Sequence, residues 1–186
     1  MEVWGVDASA AMLDLMAAKA GGDGVRGFLG DIASFDLPVD APAFGLVFAA
    51  FNTFCLLAEE AAQRSCLERV AAVAAPGGRL VLEVFVPPLA IARGGVVEIT
   101  DVTSDRLVLR AFRRWPDAET FEGHHVELTE AGGVRLRPWR LRAPQPAMLD
   151  ALAAAAGWRL LERTSGWSGE PFSDVSRRHV STYALS

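Results

Sequence analysis

Three apolar runs in this chain stop at residues able to do chemistry. "VWGV" (3–6) ends at Asp7, "VRGFL" (25–29) at Gly30-Asp31-Ile32, and "GLVFAAF" (45–51) at Phe51-Asn52. Ligands of open parallel sheets collect outside the carboxyl ends of the strands, so these tips are where binding groups are expected. The two oxygens of Asp7 can accept from both hydroxyls of a ribose. A solvated aspartate favoured by a nearby helix start is the plainer alternative. Asp31 can take an exocyclic amine while Ile32 packs on the face of an adenine, although Gly-Asp is also an ordinary turn pair. Asn52 brings a donor and an acceptor to a point where the backbone leaves its ladder, and an asparagine-assisted turn explains it equally well.

Two other groups are candidates for proton chemistry. His124 and His125 are adjacent, so in a strand they point to opposite faces and at most one enters a given site. Either has a suitable pKa for a general base, and one packed and one solvated histidine is the bland alternative. Cys55 and Cys66 stand eleven positions apart with no histidines placed to complete a metal site, so no metal is expected and both are read as reduced packing cysteines.

The elements that would position these residues alternate. Ser9 caps a helix carrying Met12, Leu15 and Met16, which "AGGDG" (20–24) ends. After a loop with Pro38 and Pro42, "GLVFAAF" reads as a central parallel strand covered on both faces. A helix from about Glu59 to Ala74 stops at Pro76-Gly77-Gly78, and "RLVLEVF" (79–85) is the next strand. This β-α-β order predicts a doubly wound sheet. From Val96 the pattern changes to four strands with turns at Ser104-Asp105, Trp115-Pro116-Asp117 and Ala131-Gly132-Gly133, an antiparallel meander over 96–142. Pro138 puts the last of these strands at an edge or a bulge. A helix from Pro146 to Gly157 and the strands "WRLLERT" and "RHVSTYAL" complete a single domain spanning 1–186.

Bulk properties narrow the function. The chain has 186 residues, 51% of them hydrophobic and 22% charged, with a net charge of −5. The acidic balance argues against a general nucleic-acid binder. The longest apolar run, 44–58, is too short to span a bilayer, and Glu2 sits where a basic leader would begin, so no membrane partner and a cytoplasmic location are expected. Residues 96–142 hold eight arginines and eight acids, a balance that fits charge-laced solvated strands better than an anion site.

The ordered set "VWGVDASAAML" (3–13), "GDI" (30–32), "FNTF" (51–54), "APGGRLVLEVF" (75–85) and "MLDALAAAAGW" (148–158) resembles the class I S-adenosylmethionine-dependent methyltransferases, most closely the small-molecule enzymes with an antiparallel insert before the last helix. The tail "GWSGEPFSDVSRRHVSTYA" (166–184) resembles that family's closing hairpin. The resemblance implies a Rossmann-like methyltransferase sheet and S-adenosylmethionine as cofactor. It further implies that Asp7 holds the ribose, Asp31 and Ile32 the adenine, and that Phe51 and Asn52 lie beside the methionine portion and the transferred methyl. The meander would then cover the site and supply the pocket for a small-molecule substrate.

Two departures from that family stand out. Gly45 occupies a position where an acidic residue is common, and the family's first strand with its glycine-rich loop has no counterpart ahead of "VWGV". That strand would lie between "VWGV" and "GLVFAAF". The expectation is therefore a sheet incomplete at its N-terminal side, whether through a misplaced start, direct pairing of the flanking strands, or filling of the gap by a homodimer. Two alternatives to a methyltransferase remain in view: a truncated, non-catalytic relative acting as a dimer or auxiliary subunit, and a nicotinamide-binding Rossmann fragment.

Overall fold

A computed structural model describes residues 2–86, 95–115 and 119–186. Strand β1 (Val3–Asp7) is followed by helix α1 (Ala10–Ala17), β2 (Val25–Leu29), β3 (Phe44–Ala49), α2 (Glu60–Val73) and β4 (Ala74–Phe85). The meander is β5 (Val96–Val102), β6 (Arg106–Arg114), β7 (Thr120–Thr129) and β8 (Gly133–Arg142), and α3 (Pro146–Ala155), β9 (Trp158–Thr164) and β10 (Arg178–Leu185) close the chain. The α/β architecture and the inserted meander agree with the sequence reading. The predicted turn at Trp115-Pro116-Asp117 lies partly outside the described residues.

The parallel sheet is divided. β1 and β2 pair in parallel as a two-stranded unit, while β3, β4, β10 and β9 form a second sheet in that order. β3 runs parallel to β4, and β10 is antiparallel to both β4 and β9. Among the described residues β1 and β3 share no ladder, so the direct pairing considered above is not found. Trp4, stacked on Phe28 within the β1–β2 unit at 4.9 Å, reaches across the divide to meet Phe44 of β3 edge-on at 5.5 Å.

This division corrects one expectation. β3 is an edge strand of its sheet, not a central one covered on both faces, and Leu46 and Phe48 are more than half exposed. α1 differs as well. Ser9 caps it as expected, accepting from the Met12 amide, but Met12 and Leu15 are exposed. The face turned to the β1–β2 pair is Leu13 and Met16, which crowd the space above Gly27.

The core lies between α2, α3 and the β3–β4–β10–β9 sheet, with Leu67, Leu80, Leu82, Val84, Leu149, Trp158 and Tyr183 at its centre. The Trp158 indole donates to the Leu67 carbonyl at 3.1 Å, tying β9 to α2. Arg142, buried at the end of β8, donates to Gln63, Glu60 and Glu119 and so fastens the meander to α2. Cys55 and Cys66 are free and buried, as expected, and burial pushes both thiols up to about 12.

Candidate functional site

The three tips end strands that run the same way within their pairs. Asp7 closes β1 beside Leu29, the last residue of β2. Asp7 Oδ1 accepts from the Ser9 amide at 2.8 Å, and Asp31 Oδ1 accepts from the Ala33 amide at 2.8 Å. Each carboxylate thus uses one oxygen to shape its own turn. Oδ2 of each has no protein partner among the described residues, which suits acceptance from a bound hydroxyl or amine. Asp31 is exposed and Ile32 half-buried. The segment they occupy is anchored, since Ser65 of α2 donates to the Ala33 carbonyl at 2.6 Å and Arg69 pairs with Asp36 at 2.7 Å.

The tip of β3 is the most constrained part of the site. Phe51 and Asn52 have φ of 53° and 61°, two consecutive non-glycine residues in the left-handed region. Such backbone costs of order 1–3 kcal/mol per residue and persists only where the surroundings hold it. The Thr53 amide closes the turn on the Ala50 carbonyl at 3.1 Å, and two bonds reach it from β4. Asn52 Oδ1 accepts from the Phe85 amide at 2.7 Å, and the Phe51 amide donates to Glu83 Oε2 at 2.8 Å. The result is a Phe51 ring 90% exposed at the end of the sheet, on a backbone fixed from beneath.

Glu83 was not among the residues singled out from the sequence. It is buried on β4, and the same Oε2 that accepts from Phe51 accepts from the Trp167 indole at 3.0 Å. One carboxylate therefore ties the β3 tip to the turn that precedes β10. The signal was legible: a single acid in "RLVLEVF", an otherwise apolar strand, is a buried charge that must have partners.

The histidine pair divides as strand geometry requires. His124 pairs across the strands with Ala111 and Pro138, His125 with Arg110 and Arg137. Both are exposed. His125 shares its face with Phe112 and Trp139, which pack against the core, and its ring lies 6.3 Å from Trp139. A hollow of about 720 Å³ lies on the meander, lined by residues including Val97, Ala111, His124 and Pro138 and bordered by Arg113, Glu122 and Arg140. None of Asp7, Asp31, Ile32, Phe51 or Asn52 lines it. Among the described residues no group of histidines, cysteines or acids has the geometry of a metal site.

A sequence model described as a methyltransferase domain matches residues 1–78. The solved CcbJ methyltransferase of Streptomyces caelestis is 36% identical, with 100% of this chain and 75% of that one covered at a TM-score of 0.91. CalS10 of Micromonospora echinaspora, an amino pentose methyltransferase solved with S-adenosylmethionine bound, is 27% identical, with 100% and 74% covered at a TM-score of 0.73. An S-adenosylmethionine-dependent methyltransferase of Clostridium acetobutylicum shares the fold at 14% identity and a TM-score of 0.85, with 100% and 76% covered. No curated protein sequence matches the chain.

Proposed function

The chain belongs to the class I S-adenosylmethionine-dependent methyltransferases, and from that premise we propose that it transfers a methyl group to an oxygen or nitrogen of a small molecule. The amino pentose acceptor of CalS10 favours a nitrogen on a sugar-like compound. The observation that carries the reading is the Phe51-Asn52 turn, whose strain is maintained by two directed hydrogen bonds at the end of the parallel strands. Strain held in this way is a mark of a working site.

In this reading Asp7 accepts from the ribose hydroxyls through its free oxygen, and Asp31 with Ile32 receives the adenine. The Phe51 ring and Asn52 border the methionine portion. When bound, S-adenosylmethionine supplies an electrophilic methyl on a sulfonium, an excellent leaving group. The protein's part is then alignment and exclusion of water, with the meander (96–142) as the cover over the acceptor. His124 or His125 takes the proton that the acceptor loses, and His125, on the core-facing side of the meander, is the better placed. The protein works in the cytoplasm and as a homodimer.

The divided sheet supports a second reading, a non-catalytic relative that serves as a dimer or auxiliary subunit. Titration calorimetry of the full chain with S-adenosylhomocysteine separates the two. The methyltransferase reading expects binding that Asp7→Asn and Asp31→Ala each weaken about tenfold or more. No heat at high micromolar ligand would sink it, and tight NADH binding instead would point to a nicotinamide site.

A further inference from the structure

The connection between β9 and β10 lies at the same end of the sheet as the Phe51-Asn52 turn. β10 runs antiparallel to β4, and its first residue, Arg178, pairs with Phe85, the last of β4. Residues 165–170 of that connection form a closed turn. The Ser165 amide donates to the Glu170 carbonyl at 2.8 Å, the Thr164 hydroxyl donates to the Gly166 carbonyl at 2.8 Å, and Gly169 at φ 86° completes the reversal. Trp167 stands within this turn. Its one polar atom, the indole Nε1, donates to Glu83 Oε2, the oxygen that also receives the Phe51 amide. Trp167 is 55% exposed and Phe51 90%. One buried oxygen therefore holds two aromatic residues side by side, each with much of its ring in water. A ring left in water contributes little to folding, and pinning it costs side-chain freedom, so the arrangement calls for something that covers the rings.

We infer that Trp167 is a specificity residue for the methyl acceptor, its indole face being the platform on which a saturated, sugar-like ring bearing an amine lies. The inference rests on the methyltransferase reading above and deepens it. Strand order sets the order of the ligand's parts along the end of the sheet. Asp7 and Asp31 stand at the β1–β2 unit, Phe51 at the tip of β3, Glu83 on β4, and Trp167 beyond it beside β10. With the adenosine at the first of these and the methionine portion at Phe51, the next place along the edge is the acceptor's, and Trp167 is its wall. The chemistry of the wall selects the ligand class. An indole face is the negative side of the ring's quadrupole, which attracts the C–H face of a saturated ring and the charge of an ammonium. Donation of the indole N–H to the Glu83 carboxylate polarises the ring and strengthens both attractions. An amino sugar offers both groups at once. Lying flat on a fixed plane also sets the tilt of the acceptor ring, and with it the line of approach of its nitrogen to the methyl.

The test titrates methyl β-glucosaminide, an amino sugar with a C–H face on each side of its ring, into the full chain saturated with S-adenosylhomocysteine. Nitrogen-edited magnetic resonance resolves the indole N–H of each tryptophan, and the signal missing from Trp167→Phe is that of Trp167. A saturable shift of this signal is expected, with a dissociation constant of about 10 mM or tighter. Trp167→Phe keeps a ring and is expected to hold the probe within about threefold of wild type, read from the broadening of the probe's own ring protons. Trp167→Leu keeps apolar bulk without a π face and is expected to weaken the probe at least tenfold. Both variants are expected to bind S-adenosylhomocysteine within about threefold of wild type by calorimetry, a split that a residue serving only to prop the turn would not give. A Trp167 signal unmoved at about 50 mM probe overturns the inference. So does a response at Trp115 or Trp139 of the meander in its place, a Trp167→Leu protein that holds the probe as wild type does, or one that loses both ligands equally. The two failures stay distinct. Absence of S-adenosylhomocysteine binding sinks the methyltransferase reading and this inference with it, whereas a silent Trp167 beside normal S-adenosylhomocysteine binding sinks this inference alone.

Discussion

Replacing Glu83 tests whether the β3 tip is held in place or merely happens to lie there. Its Oε2 receives two donors, the Phe51 amide at 2.8 Å and the Trp167 indole at 3.0 Å, in a buried setting. Hydrogen bonds to a charged group contribute about 1.5–3 kcal/mol each. Removing the carboxylate also removes its desolvation cost, so Glu83→Ala is expected to lower stability by about 2–3 kcal/mol rather than by the full sum. The local effect is larger in proportion. The left-handed pair loses one of its two bonds to β4, while the strain of about 1–3 kcal/mol per residue stays and works to open the turn. Glu83→Gln keeps an oxygen with two lone pairs, accepts from both donors and loses only the charge, at about 1 kcal/mol.

Amide hydrogen exchange at Phe51 reads the turn directly. Glu83→Ala is expected to speed it at least tenfold and to weaken S-adenosylhomocysteine binding by a similar factor, because the Phe51 ring is no longer presented in one place. Glu83→Gln is expected to stay within about threefold of wild type on both measures. A folded Glu83→Ala protein with Phe51 exchange and ligand affinity both within about twofold of wild type would show that the strained turn needs no support from β4.

Two further outcomes follow from titratable groups. His179 is fully buried, its Nδ1 lies 2.8 Å from Ser181 Oγ, and burial followed by the nearby Arg163 charge pulls its pKa down to about 4. The unfolded imidazole takes its proton near 6.5, so the unfolded state binds more protons as pH falls from there to about 4, and stability drops by up to about 3 kcal/mol across that window. Urea unfolding of His179→Asn between pH 4 and 7 should lack this slope, and an unchanged slope would refute it. In the methyl-transfer assay His125→Asn is expected to lower kcat about a hundredfold with KM for the methyl donor unmoved, as loss of a general base does. His124→Asn should leave kcat as it is; the reverse pattern would exchange the roles of the two residues.

The order of strands and helices, the meander and the three strand tips were legible because each is written locally, in apolar runs that end at a polar residue or a turn. What escaped the sequence depended on partners far along the chain. β3 reads as a central strand because "GLVFAAF" is apolar throughout, and the run carries no mark of whether a neighbour covers each edge. Met12, Leu15 and Met16 satisfy helical spacing, yet Gly27 on β2 leaves room for Leu13 and Met16, which selects the buried face. Glu83 stands in plain view as the lone acid of its strand. Its meaning lies in Phe51 and Trp167, 32 and 84 positions away.

The arginine-rich segment shows how a period of two resolves a composition that looks ambiguous in sum. Its charges are neutralised between neighbouring strands: Glu98 by Arg110, Asp101 by Arg106, Glu122 by Arg113 and Glu127 by Arg137. That pairing leaves the meander without a concentrated field to attract an anion. The same alternation sends the two adjacent histidines to different faces. His124 stands within aliphatic rows, between Ala111 and Pro138. His125 stands beside Trp139 on the side that meets the core. A one-residue slip in β7 would exchange the faces, putting its charged side chains among the aliphatic rows and its aliphatic ones toward the core. The register of this insert is thus tied to the core through Phe112 and Trp139, which only one of its two faces can present.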